Sequence, residues 1–334
     1  MKFVTPENAK SVALDAASAL ARMVKPQGRF TYRYMLSEPN KTDALYSPIR
    51  HIAAVWFMLE ADRVVGPIDG VRAAALRAGD QIVTEFLTPF AGQDMLCVLD
   101  EGLSKLGGAG LAVTTLCAMH DVTGDSRYLH LAKRTSRFVL SQQQENGDFI
   151  HIRNYPLSTI HPTRSNFCTG QALLGLLTLF KRTGDVTLLD AANYAISYLG
   201  RRNYGVTINS HWMLYALEAH FVVQPTTETL DYASRIAGGI VNGADYRKSG
   251  QLTAIACRTE GLLAFGRMLK QHGRNGITPS LDECLRQVRL NLTQLLKFRS
   301  ADGVFVENLQ KPEVRIDYIQ HAGLSFLGYG LFAH

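Results

Sequence analysis

The chain has 334 residues, 46% of them hydrophobic and 19% charged, and 35 basic against 29 acidic side chains give a net charge of +6. That apolar content suits a packed core and excludes disorder, and no apolar run reaches the roughly 18 residues of a membrane span. Five scattered cysteines, with no CxxC or Cys/His zinc spacing, exclude a disulfide scaffold and a structural zinc module, so neither metal nor cofactor is expected.

Apolar periodicity, caps and breakers predict about twelve helices, over 7–23, 46–65, 68–89, 107–122, 126–144, 164–183, 186–202, 209–222, 227–242, 252–271, 280–299 and 317–332. Short connections make them successive antiparallel hairpins. Strand-like pieces fall at 29–34, 95–99, 148–152 and 303–306. Strands and helices do not alternate regularly, which argues against a parallel-sheet enzyme. The expectation is one all-α domain over residues 1–334. The first residues lack the layout of a secretory signal, so a cytoplasmic protein with no membrane association is expected.

Arginine supplies 24 of the basic side chains and lysine 11. This excess suits planar recognition of carboxylate or phosphate, although ordinary arginine ion pairs would produce the same count. No basic stripe is present, so nucleic acid is not an expected partner. A small anionic molecule is, and homodimerisation stays open.

An internal repeat sharpens the fold. Gly110-x-Ala112, Leu116, Thr123-Gly124-Asp125, Leu129 and Ala132 recur 60 residues on as Gly170-x-Ala172, Leu176, Thr183-Gly184-Asp185, Leu189 and Ala192. A weaker third copy keeps Leu230 and Ala233. Gly124 and Gly184 should end one helix, and Asp125 and Asp185 should cap the next. Hairpins of this kind bury their faces by stacking on neighbours.

These motifs, with the glutamine run and Asn-Gly turn at Gln142-Gln143-Gln144-Glu145-Asn146-Gly147, resemble the (α/α)6 toroid superfamily. Six-hairpin glycosidases, polysaccharide lyases, N-acylglucosamine epimerases and the helical domain of uronyl C5-epimerases belong to it. The resemblance implies a ring of about twelve helices with a few short strands at one mouth. It also implies a saccharide-binding cavity. The motifs are packing devices, so they specify the fold and leave the chemistry open.

In such a ring the inner helices start near 46, 107, 164, 209, 252 and 317, and the chemically informative residues gather there. Tyr46, Arg50 and His51 open the first. Asp100 and Glu101 form an acidic loop, and Arg164 precedes the third inner helix. His211 and Trp212 open the fourth, and Arg258 and Glu260 interrupt an apolar stretch. Arg315, Asp317, Tyr318, Gln320 and His321 open the last. Each also has a structural reading: Asp317 as a helix cap, His321 as an interior histidine, Arg258 with Glu260 as an ion pair, Trp212 as core, Asp100-Glu101 as a solvated turn.

The residue types suit proton transfer beside a carboxylate, as in epimerisation or β-elimination of a uronate. The expected catalytic groups are Tyr46, His51, Glu260, Asp317 and His321. Arg50, Asp100, Glu101, Arg164, His211, Trp212, Arg258, Arg315, Tyr318 and Gln320 are the expected substrate-binding groups. Glycoside hydrolysis by two carboxylates, Asp100 or Glu101 with Glu260 or Asp317, is the alternative. A non-catalytic toroid that receives an acidic partner is the other. Terpene cyclisation lacks its aspartate-rich motifs, and lanthionine cyclisation lacks a cysteine–histidine zinc pair.

Overall fold

A computed structural model describes residues 4–39, 45–91, 94–273 and 276–332. Among the described residues the helices are, in order, α1 (Pro6–Met23), α2 (Pro48–Val65), α3 (Val71–Gln81), α4 (Leu106–Thr123), α5 (Ser126–Ser141) and α6 (Cys168–Thr183). They continue with α7 (Val186–Arg201), α8 (His211–Val223), α9 (Thr227–Asn242), α10 (Leu252–His272), α11 (Leu281–Leu295) and α12 (Ile316–Gly330). Six short strands join them: β1 (Arg33–Met35), β2 (Leu87–Pro89), β3 (Leu96–Asp100), β4 (Leu103–Lys105), β5 (Ile152–Asn154) and β6 (Glu313–Arg315). No helix of the described residues is long and apolar enough to cross a membrane.

The chain forms two compact units, Met1–Asp80 with Ile240–His334, and Gln81–Gly239. In the first, α12 packs on α1, α2 and α10, and α10 packs on α11. Helix α2 is buried on nearly every side from His51 to Leu59, so its sequence shows no amphipathic stripe. Strands β1 and β6 pair antiparallel, with Arg33 opposite Arg315, and β6 runs directly into α12. That junction fixes where the first turn of α12 points.

In the second unit α4 packs on α5 and α6, and α6 on α7 and α8. The 60-residue repeat explains the close approach. A Cβ on Gly110 would lie 2.3 Å from the Gln171 carbonyl oxygen of α6, and one on Gly170 would lie 2.5 Å from the Trp212 carbonyl carbon of α8. Gly124 (φ 71°) and Gly184 (φ 68°) end α4 and α6 in the left-handed conformation. Asp125 then accepts from Arg127 N and Asp185 from Thr187 N, capping α5 and α7.

The structure departs from the sequence expectation at three places. The expected 68–89 helix ends in a π-helical turn over Ile82–Phe86 and a strand, because Pro89 and its predecessor favour extended backbone that pairs with β3. The expected 148–152 strand moves to β5, which pairs with β4, and Phe149 makes only an isolated bridge to Gln143. Residues 303–306 likewise form isolated bridges rather than a strand, and β1 takes β6 as its partner.

Candidate functional site

The first unit gathers seven of the fifteen expected residues around the first turns of α12. Asp317 Oδ1 accepts from Arg315 Nε at 2.5 Å, and Oδ2 accepts from Arg315 Nη2 at 2.9 Å and Arg50 Nε at 3.0 Å. Arg50 also donates to the Tyr32 hydroxyl at 3.0 Å. The cap position of α12 is Arg315, so Asp317 is not the helix cap; its carboxylate is held by two guanidiniums. Arg315 lies 4.2 Å from the Tyr318 ring centroid, and the Tyr318 hydroxyl donates to Glu313 at 3.0 Å. Burial raises the proton affinity of Tyr318, and Arg315 opposes it.

One helical turn further, His321 Nδ1 is 2.8 Å from Glu260 Oε1 and 3.8 Å from Cys257 Sγ, both on α10. The Glu260 side chain is fully buried, and that of His321 is 13% exposed. Burial works to lower the proton affinity of His321. Cys257 and Glu260 outweigh it and hold the imidazole well above its ordinary range. Gln320 lies beside His321 and is buried.

Two groups joined here were not legible in the sequence. Cys257 and His321 form the cysteine–histidine pair that no local spacing announced, since 64 residues separate them. Glu307 accepts from Thr253 N and Oγ1 at the first turn of α10, at 3.2 and 2.5 Å. Burial raises its proton affinity, the Thr253 hydrogen bonds lower it, and Asp317 adds a smaller rise. Its only sequence signal is a carboxylate directly after the apolar run Val304-Phe305-Val306.

Three expected residues of this unit find partners elsewhere. His51 is wholly buried, its Nδ1 2.7 Å from the Tyr46 hydroxyl and its Nε2 2.8 Å from the Ala78 carbonyl. Burial drives it down to about 4 and Tyr46 up to about 12. The Tyr46 hydroxyl also accepts from Phe30 N. Tyr46 and His51 thus fasten α2 to the 29–32 segment and to α3. Arg258 is two residues from Glu260, about 200° around α10. It lies 5.7 Å from the Tyr246 ring centroid and does not join His321.

In the second unit, Asp100 pairs with Lys105 at 2.6 Å across the β3–β4 hairpin. Glu101 is at its exposed tip with φ 51°, a solvated turn position. Arg164 clasps Asp148 with bonds of 3.0 and 2.9 Å. His211 and Trp212 are each 4% exposed, with ring centroids 4.9 Å apart. Gly170 of α6 lies against the backbone and Cβ of Trp212 on α8. His151 accepts from Ser165 N at 2.9 Å and meets Thr169 at 3.0 Å; burial lowers it to about 4.

No family model matches the chain, and no curated protein matches it. Solved structures do. A D-mannose isomerase superposes with a TM-score of 0.73 at 11% identity over 95% of this chain and 96% of that one. The cellobiose 2-epimerase of Spirochaeta thermophila gives 0.72 at 13% identity over 98% of both chains. An inactive variant of an α-1,6-mannanase from Salegentibacter sp., in complex with α-1,6-mannotriose, gives 0.72 at 11% identity over 97% and 99%. The fold is therefore that of the (α/α)6 toroids, as the repeat implied.

Proposed function

We propose that the chain is a carbohydrate-active enzyme whose central step is proton transfer on a saccharide, with His321 as the acid–base group. The observation that carries this reading is the His321–Glu260 contact of 2.8 Å, in which a buried carboxylate holds a partly exposed imidazole. A carboxylate on Nδ1 fixes the ring orientation and directs Nε2 to the opposite side. There the imidazole, once it has released its own proton to solvent, takes the proton from the carbon next to a carbonyl or carboxylate and returns it. Return to the other face of the same carbon gives an epimer; return to the neighbouring carbon of an open-chain sugar gives an isomer. The epimerase and isomerase likenesses support this chemistry.

Arg50, Asp317, Arg315 and Tyr318, one turn away, are the substrate-positioning groups in this reading. Arg50 keeps 42% of its side chain exposed and supplies the anion-binding edge for a uronate-type sugar. A second reading, glycoside hydrolysis, is favoured by Glu307, whose raised proton affinity beside the arginine-held Asp317 suits a general acid. The mannanase likeness supports it.

Incubation with D-mannose, cellobiose and glucuronate in deuterated water separates the readings. Deuterium entering the carbon next to the carbonyl, lost in His321→Asn, supports proton transfer. Release of reducing ends from an α-mannan, lost in Glu307→Gln, supports hydrolysis. Neither reaction with any of these sugars overturns the enzyme reading.

A further inference from the structure

Gln320 is 1% exposed, and among the described residues neither its amide nitrogen nor its amide oxygen has a hydrogen-bond partner. Buried polar side chains are almost always paired, because an unmet donor or acceptor costs stability. Its place on α12 gives the orphaned amide a setting. Gly323, three residues on, meets the Phe57 ring of α2, while His321 and Ser325 meet Glu260 and Ala256 of α10. Gln320 projects from the arc of α12 between those two seams, the arc that also carries Asp317. It is thus adjacent to the proposed acid–base group and shares a face with the arginine-held carboxylate.

The amide presents one donor group and one acceptor side by side. Carboxylate or phosphate oxygens accept only, so an anion would satisfy the nitrogen and repel the carbonyl. Two adjacent hydroxyls satisfy both ends: the amide N–H donates to one oxygen, and the carbonyl accepts the proton of its neighbour. We infer that Gln320 is a specificity-determining residue that reads an uncharged vicinal diol of the sugar, a role that rests on the saccharide reading above. The orphaned amide is then a stability sacrifice made for binding, a pattern typical of functional sites.

The test measures thermal midpoints and affinities for D-mannose and its 2-, 3- and 4-deoxy analogues in the wild type, Gln320→Leu and Gln320→Glu. Gln320→Leu is expected to raise the midpoint of the sugar-free protein by about 2 °C or more. It should also weaken mannose binding roughly tenfold and erase the wild type's discrimination against the deoxy analogues that lack the recognised pair. Gln320→Glu, which keeps the acceptor and loses the donor, should retain part of that discrimination. A lowered midpoint in Gln320→Leu, or unchanged discrimination, overturns the assignment to Gln320. A wild type whose midpoint responds to none of the sugars overturns the saccharide reading itself.

Discussion

His321 and Glu260, 61 residues apart in sequence, meet at 2.8 Å across the α10–α12 seam. The carboxylate is wholly inside and the imidazole partly outside, so the pair combines a fixed charge with a group that solvent or substrate can reach.

Replacing His321 with Asn should reduce turnover by roughly 10²–10⁴-fold, the span of a lost general acid–base group. Glu260→Gln keeps the shape and removes the charge, so about a tenfold loss is expected. Steady-state rates of both variants check the ranking.

The same pair sets a pH dependence of stability. The folded proton affinity of His321 is raised, so its contribution is complete below about pH 6.5, the unfolded value, and is lost as pH rises through the folded one. Thermal midpoints from pH 6.5 to 9 should therefore fall more steeply for the wild type than for Glu260→Gln.

His51 and His151 act in the opposite sense. Both are lowered to about 4 by burial, so the unfolded chain takes up protons first as pH falls from about 6.5. Their contribution is present above that value and is lost progressively down to pH 4. His51→Leu should remove about one proton from this slope in urea titrations. At pH 7 it should also cost about 1–3 kcal/mol by stranding the Tyr46 hydroxyl and the Ala78 carbonyl.

Asp317→Ala leaves Arg315 and Arg50 without their shared carboxylate. Fully buried pairs lose roughly 3–5 kcal/mol on such truncation. Since 42% of the Arg50 side chain is exposed, solvent screening brings the expected loss to about 2–3 kcal/mol. Chemical denaturation checks the value, and Asp317→Asn should lose less.

The two kinds of repeat glycine should separate cleanly. Gly110→Ala drives a methyl into the backbone of α6, at 2.3 Å from the Gln171 oxygen, and should cost about 3 kcal/mol. Gly124→Ala meets nothing within 4 Å and is strained only by its φ of 71°, so about 1 kcal/mol is expected. Equal losses in denaturant titrations would contradict the close-packing account of α4 and α6.

Much of the fold was legible because its signals are local. Glycine at helix ends, aspartate at helix starts and glycine at crossing points each act within a few residues and recur at a fixed interval of 60. The helix starts also located Arg50, Arg315, Asp317 and His321 in one region of the chain's first unit. Arg258 shows where that reasoning ends. Helix position placed it beside Glu260, but its direction around α10 carries it to Tyr246 instead. Tyr46 and His51 have the residue types of an acid and a base, yet His51 is wholly buried and the two are bound to each other and to Phe30 and Ala78.

The sequence by itself determined the helical repeat, its caps and the glycines that let α4, α6 and α8 approach, since these follow from backbone conformation and steric size at single positions. Which side chains share a hydrogen bond was decided by the tertiary structure alone: Cys257 and Glu260 with His321, Arg50 with Asp317, Glu307 with Thr253. Those pairings depend on helix rotation and seam geometry, which the packing of distant segments sets and no nearby residue encodes.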